Sequence, residues 1–188
     1  EESMGALDQA VKSGKALYAG LSNYDGETML KAAKILDRLN CPFIINQNRY
    51  SILDRTIEKN GLKQKAEEAG KGLITFSPLA QGLLTDRYLN GIPLDSRIKT
   101  DGRFLHSDIL TEKMLSCISA LNKIAKKRGQ SLAQMALAWI LQNSAVTSVL
   151  IGASKASQVL DSIQCIKNIK FSEEELNLID KESLADLK

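Results

Sequence analysis

At 188 residues, 44% hydrophobic and 25% charged, the chain has material for one sizeable buried core and the balance of a soluble globular protein. Its net charge of +3, from 25 Lys and Arg against 22 Asp and Glu, is too mild for a nucleic-acid partner, and no basic run is interleaved with aromatics. Three cysteines without a CxxC pair argue against a disulfide framework or structural zinc and fit a reducing cytoplasm, the lone His106 cannot build a metal cluster, and no apolar run is long enough for membrane insertion.

In chain order, Met4, Leu7 and Val11 share one face of an opening helix that stops at Gly14. The chain therefore starts inside or at the beginning of a helix, and we expect it to be the carboxyl-terminal part of a longer polypeptide. From Ala16 a unit repeats. Ala16 to Leu21 is a short apolar strand ending in Ser22-Asn23-Tyr24, and Glu27 to Leu39 carries a helical stripe of Leu30, Ala33, Ile35, Leu36 and Leu39. Phe43-Ile44-Ile45 is the next strand, ending in Asn46-Gln47-Asn48, and a helix from about Thr56 to Ala69 closes at Gly70. The third strand begins at Gly72 and passes into Ser77-Pro78 and Gln81-Gly82, a turn exposed at its carboxyl end. A long connection, 86–110, follows; such loops in compact domains are usually functional or disordered.

Helices are then expected over Thr111 to Lys127 and from Ser131 onward, the second burying Leu132, Met135, Ala136, Ile140 and Trp139, the last as core. Ser148 to Ile151 is the fourth strand. It ends in Gly152-Ala153-Ser154-Lys155, ahead of a helix through Val159, Ile163 and Ile166. A capping box of Ser172 and Glu175 opens the last helix, within 171–188.

Four strand-helix units without hairpin signals point to parallel strands with helical crossovers, an α/β fold. No GxGxxG turn marks a doubly wound dinucleotide sheet, so the expected fold is the (β/α)8 TIM barrel, with this chain covering about its second half in a single domain, 1–188. The strand ends carry Ser22-Asn23, Asn46-Gln47, Ser77 and Ser154, neutral polar groups on the rim where barrel sites are built. Amides and hydroxyls without an acid-base pair suit binding and orientation. Gln81-Gly82, Arg87, Arg97 and Ser154-Lys155 suit phosphate, the last pair at a helix start where unpaired N–H groups attract anions. Taken singly, each of these reads first as an ordinary turn or a solvated surface residue.

The ordered set Gly20-Leu21-Ser22-Asn23-Tyr24, Asn46-Gln47-Asn48-Arg49-Tyr50, Phe76-Ser77-Pro78-Leu79-Ala80-Gln81-Gly82-Leu83-Leu84-Thr85 and Ser148-Val149-Leu150-Ile151-Gly152-Ala153-Ser154 resembles the aldo-keto reductases over nearly the whole chain. Tyr88-Leu89-Asn90-Gly91-Ile92-Pro93 with Arg97 is similar to a bacterial branch related to the potassium-channel β-subunits. The resemblance implies NADPH as cofactor and a small or phosphorylated aldehyde as substrate. It implies that Ser22, Asn23 and Gln47 bind the nicotinamide carboxamide and that Phe76 packs on its ring. Ser77, Leu79, Gln81 and Gly82 match the pyrophosphate segment, and Arg87 and Arg97 basic positions of the covering loop. Gly152 belongs to the motif that leads into the adenosine and 2′-phosphate site of Ser154, Lys155, Gln158, Asp161 and Ser162. Relatives often carry Arg, Glu and Asn where Gln158, Asp161 and Ser162 stand. The family's catalytic Asp, Tyr, Lys and His belong to motifs of the barrel's first half; Tyr18, Tyr24, Tyr50, Tyr88 and His106 match none of them, and His106 is expected to be exposed. Two readings stand open: the cofactor-binding half of a reductase, or a non-catalytic dinucleotide-binding or channel-subunit-like interaction module. Open first and last strands would favour a homo-oligomer or pairing with an amino-terminal half.

Overall fold

The computed structural model describes residues 1–100 and 105–183, with Arg97 described by its backbone alone. Its elements are α1 Glu2–Lys12, β1 Ala19–Ser22, α2 Gly26–Arg38, β2 Phe43–Arg49, α3 Thr56–Lys59, α4 Leu62–Glu68, β3 Gly72–Phe76, α5 Arg97–Thr100, α6 Glu112–Lys127, α7 Leu132–Leu141, β4 Val146–Val149, α8 Ala156–Ile163 and α9 Glu173–Ser183. Tighter 3-10 turns lie at Ala80–Gly82, Asp86–Tyr88, Ser107–Ile109 and Gln164–Asn168. The described residues form two compact units, Glu1–Tyr50 with Arg55–Phe76 and Asn143–Leu150, and Ser51–Asp54 with Ser77–Gln142 and Ile151–Lys188.

The first unit holds the whole sheet. Its order is β1-β2-β3-β4, and every neighbouring pair is parallel. Strands that succeed one another in sequence are thus adjacent in space, with no reversal of order of the kind that defines a doubly wound sheet. The register aligns Ser22 with Gln47, Gln47 with Ile74, and Ile74 with Ser148. One face of the sheet is buried through Leu21, Asn46, Leu73 and Val146, which lie in one register row. Met29, Leu36, Ile57, Leu62 and Ala66 bring the apolar stripes of α2, α3 and α4 into the same core. Each fully buried Leu, Ile or Met contributes about 1.5–3 kcal/mol. Asp25 caps α2 by accepting the Thr28 N–H at 2.7 Å, and that bond holds its carboxyl below the usual range.

Five boundaries differ from those read in the sequence, among them the helix read through Ile166, which ends at Ile163 and passes into the 3-10 turn Gln164–Asn168. β1 starts at Ala19 rather than Ala16, because Leu17 and Tyr18 lie 82% and 58% exposed, outside the ladder. β2 continues through Asn46-Gln47-Asn48, the expected polar end: Asn46 and Asn48 are buried and bond to each other, and Asn48 Nδ2 donates to the Tyr24 carbonyl at 3.2 Å. The helix expected from Thr56 to Ala69 is two, broken at Gly61 with φ +73°. A Cβ built on Gly26 would stand 2.7 Å from the Gly61 carbonyl oxygen, so the start of α2 and this break share one close approach. β4 starts at Val146 and ends before Leu150, although the Leu150 N–H still donates to the Thr75 carbonyl at 2.8 Å.

The second unit is helical. Its core includes Leu83, Leu84, Ile118, Leu121, Leu132, Met135, Ile140 and Ile179, and Trp139 is buried as expected. The capping box read at Ser172 and Glu175 is present, with the Ser172 N–H donating to Glu175 at 2.8 Å and the Glu175 N–H to the Ser172 hydroxyl at 3.2 Å. α7 has a second box, Ser131 with Gln134. Arg128, whose side chain is 3% exposed, ends α6 and ties it to α9: it donates to Glu175 at 2.6 Å, to the Asn168 and Lys170 carbonyls at 3.0 Å and to Gln130 at 3.0 Å, and it stacks 3.5 Å from the Phe171 ring centroid. Of the expected 86–110 connection, all but Asp101, Gly102, Arg103 and Phe104 is described, and His106 is exposed. Residues 184–188 of the expected last helix also lie outside the described residues.

Removing the guanidinium leaves a carboxylate and two carbonyls without their donor. Arg128→Met should therefore cost about 2–3 kcal/mol, read as a lower urea midpoint. Burial pushes the Glu175 carboxyl up, but the Ser172 N–H and then Arg128 outweigh it and hold the group below the ordinary value of 4.5. Its contribution to stability is then complete above pH 4.5 and declines as pH falls through the folded value. Acid unfolding curves should show a shallower decline for Glu175→Gln than for the parent.

Candidate functional site

In the first unit, the parallel ladder brings Ser22, Asn23 and Gln47 to one end. Ser22 and Gln47 are register partners, and the Asn23 N–H donates to the Gln47 carbonyl at 2.9 Å. Asn23 takes a left-handed conformation, φ +59°, which Asn tolerates better than most residues. Gln47 and Arg49 are two apart on β2, and their partners Ile74 and Phe76 are two apart on β3, so strand alternation puts all four on one face. The Arg49 guanidinium lies 5.8 Å from the Phe76 ring centroid. Arg49 was not among the residues picked from the sequence, although its place two after Gln47 in the strand would have marked it. Ser22 and Asn23 are exposed, while Gln47 and Phe76 are half-buried.

In the second unit, the backbone from Ser77 to Gly82 is left-handed at four positions, Ser77 at φ +54°, Ala80 at +45°, Gln81 at +61° and Gly82 at +102°. Each non-glycine residue held so costs about 1–2 kcal/mol, which buried neighbours must offset. Leu83 and Leu84 supply that anchor, and bonds from Ala80 N–H to the Ser77 carbonyl at 2.9 Å and Gly82 N–H to the Leu79 carbonyl at 2.8 Å close the turn. The Ser77 and Leu79 N–H groups donate to no carbonyl among the described residues. Thr85 donates to the Gly82 carbonyl at 2.6 Å and steadies the exit.

The remaining predicted residues of this unit divide. The Arg87 guanidinium pairs with Asp95 at 2.5 Å, so its charge is already engaged. Arg97 opens α5, and its side chain lies outside the described residues. Gly152, Ser154 and Lys155 are exposed ahead of α8. Just ahead of α8, Gln158 Oε1 accepts from the Ser154 N–H at 2.8 Å, the Ser154 hydroxyl at 3.2 Å and the Lys155 N–H at 3.3 Å. The Lys155 ammonium has no carboxylate partner among the described residues. Asp161 accepts from Gln134 at 2.7 Å, and Ser162 donates back to the Gln158 carbonyl at 2.8 Å. This donor set, with backbone N–H groups, hydroxyls, amides and one unpaired ammonium, fits a phosphate-bearing dinucleotide.

Burial, with Glu182 beside it, pushes the Cys117 thiol up to about 11, and burial raises Cys41 and Cys165 too, so none is a thiolate nucleophile at neutral pH. Among the described residues no group of His, Cys, Asp and Glu could hold a metal, and no helix is long and apolar enough to cross a membrane.

Sequentially ordered parallel strands with polar side chains near their carboxyl ends are the arrangement of part of an α/β barrel. The chain belongs to the aldo/keto reductase family, whose profile matches residues 1–183. It is 48% identical over 184 residues to the L-glyceraldehyde 3-phosphate reductase of Escherichia coli (strain K12), a match covering 96% of this chain and 53% of that protein. It is 32% identical over 169 residues to a probable voltage-gated potassium channel subunit beta of Oryza sativa subsp. japonica, covering 88% of this chain and 52% of that one. These relatives fall in the branch expected from the motifs. A thermostable aldo-keto reductase crystallised with the inhibitor epalrestat superposes with a TM-score of 0.71 at 26% identity, over 96% of this chain and 54% of that one. The fold is accordingly that of the family's barrel in part, and the chain spans about half the length of the curated relatives it matches.

Only backbone strain opposes a side chain at Gly82, since the nearest atom to an added Cβ is on Tyr88 at 3.8 Å. Gly82→Ala should therefore fold and lose about 1–2 kcal/mol in denaturant titration, the cost of a left-handed alanine. A loss of 4 kcal/mol or more would indicate a steric clash instead (a cost of roughly the size seen for overpacking or cavity defects).

Proposed function

We propose that this chain is the cofactor-binding half of an NADPH-dependent aldo-keto reductase acting on small or phosphorylated aldehydes, forming the carboxyl-terminal part of one barrel domain. The observation that carries the reading is the meeting of Ser22, Asn23 and Gln47 at one strand end, on the face where Phe76 also stands. In the first unit, the amide and hydroxyl groups of these residues hold the carboxamide of the nicotinamide, and Phe76 restricts the tilt of the ring. In the second, Ser77, Leu79, Gln81 and Gly82 receive the pyrophosphate, and Ser154, Lys155, Gln158, Asp161 and Ser162 receive the adenosine and its 2′-phosphate. The bound cofactor supplies a hydride to the aldehyde carbon.

The proton for the aldehyde oxygen needs an acid poised near neutral pH, and the chain's own candidates do not suit. Tyr50 is buried and donates to Glu58, Tyr88 is buried, and His106 is exposed at the start of a 3-10 turn. We therefore assign no catalytic residue here and place the Asp, Tyr, Lys and His set in motifs outside this sequence. The similarity to channel β-subunits keeps a second reading, a dinucleotide-binding interaction module, and turnover separates the two. The aldehyde substrate, the cytoplasmic setting and assembly with a second copy or an amino-terminal half belong to the same proposal.

Lys155→Ala should weaken NADPH about tenfold, as expected for loss of a charge-assisted bond to phosphate, and leave NADH nearly unchanged in a fluorescence titration. Equal losses for both would overturn the 2′-phosphate role. The chain by itself should oxidise no NADPH when an aldehyde is added; turnover by pure material would show that the acid lies within these residues.

A further inference from the structure

Gln134 has two ends, and the structure uses both. Its Oε1 accepts the Ser131 N–H at 3.1 Å, while its own N–H donates to the Ser131 hydroxyl at 3.2 Å, which completes the α7 capping box. Its Nε2 crosses to α8 and donates to Asp161 Oδ1 at 2.7 Å, with a longer approach to the Asp161 carbonyl at 3.4 Å. The other carboxylate oxygen, Oδ2, has no partner among the described residues, and Asp161 is exposed. One amide thus fixes one oxygen of the carboxylate and leaves the other open to an N–H or O–H of a ligand. A freely rotating Asp would lose conformational entropy when it met that ligand; one already held loses less.

We propose that Gln134 is a positioning residue that sets Asp161 to accept a hydrogen bond from the adenosine portion of the bound dinucleotide. The inference rests on the assignment of Asp161 to the adenosine site. Gln134 touches no ligand in this account and acts through Asp161 alone. Its effect falls on a part shared by NADPH and NADH, and so differs from that of Lys155.

Gln134→Glu separates the two ends, because a carboxylate still accepts the Ser131 N–H in a Ser-x-x-Glu box but cannot donate to Asp161. Fluorescence titrations of the protein with NADPH and with NADH should show both weakened about tenfold, with the melting temperature held within about 3 °C. The double variant Gln134→Glu with Asp161→Asn exchanges donor and acceptor, restores the contact and should recover both affinities to within about threefold. Parent-like binding by Gln134→Glu, beside a tenfold loss in Asp161→Ala, would overturn the positioning role and leave the adenosine site standing. Parent-like binding by Asp161→Ala would overturn the site assignment itself. A loss in Gln134→Glu that the double variant fails to recover would make Gln134 a structural residue of α7 and also overturn the proposal.

Discussion

Parallel pairing is the constraint on which the rest of the molecule depends. Three consecutive parallel joins oblige the chain to return each time to the same end of the sheet before starting the next strand, so every carboxyl end emerges at one edge. The level occupied by Ser22, Gln47, Ile74 and Ser148 is the visible result: residues far apart in sequence share a row set by the backbone ladder. Side-chain alternation then decides which of them face the same way. Arg49 and Phe76 inherit their proximity from that geometry, with the cation over the ring as a small further gain.

In the second unit, local conformation takes the place of the ladder. The backbone from Ser77 to Gly82 takes left-handed geometry ahead of two buried leucines, with the Ala80 and Gly82 N–H groups bonded inside the turn. Charge is distributed sparingly. Arg87 is engaged by Asp95, while among the described residues the Lys155 ammonium has no carboxylate partner. Gln158 supplies an internal acceptor for the Ser154 and Lys155 N–H groups ahead of α8.

The order and parallel sense of the strands were legible in the sequence because short β-branched runs alternate with helical stripes and no hairpin turn intervenes. Ser172 with Glu175 was legible for a local reason, since a capping box is defined by spacing alone. Polarity misled at Asn46-Gln47-Asn48, where Asn46 donates to Asn48 within the strand, while the buried Asn46 Oδ1 has no partner among the described residues. Gly61 was concealed inside an apparently continuous helical period. The pairing of Arg87 with Asp95 spans a turn whose shape no periodicity reveals, and the link from Gln134 to Asp161 crosses between two helices. Those contacts depend on tertiary placement, which composition and spacing do not encode.

Arg128 concentrates in one side chain a task usually divided among several. Its planar fork spends N–H groups on a carboxylate, an amide and two carbonyls, and its face on a phenyl ring, so the start of the last helix is moored by one side chain in addition to the buried Ile179. Lysine, with three donors on a compact charge and no plane to stack, cannot reproduce that mooring. The segment from Asn168 to Glu175 is thereby joined to the end of α6 through one side chain, so the loss of that side chain is felt at both of its ends at once.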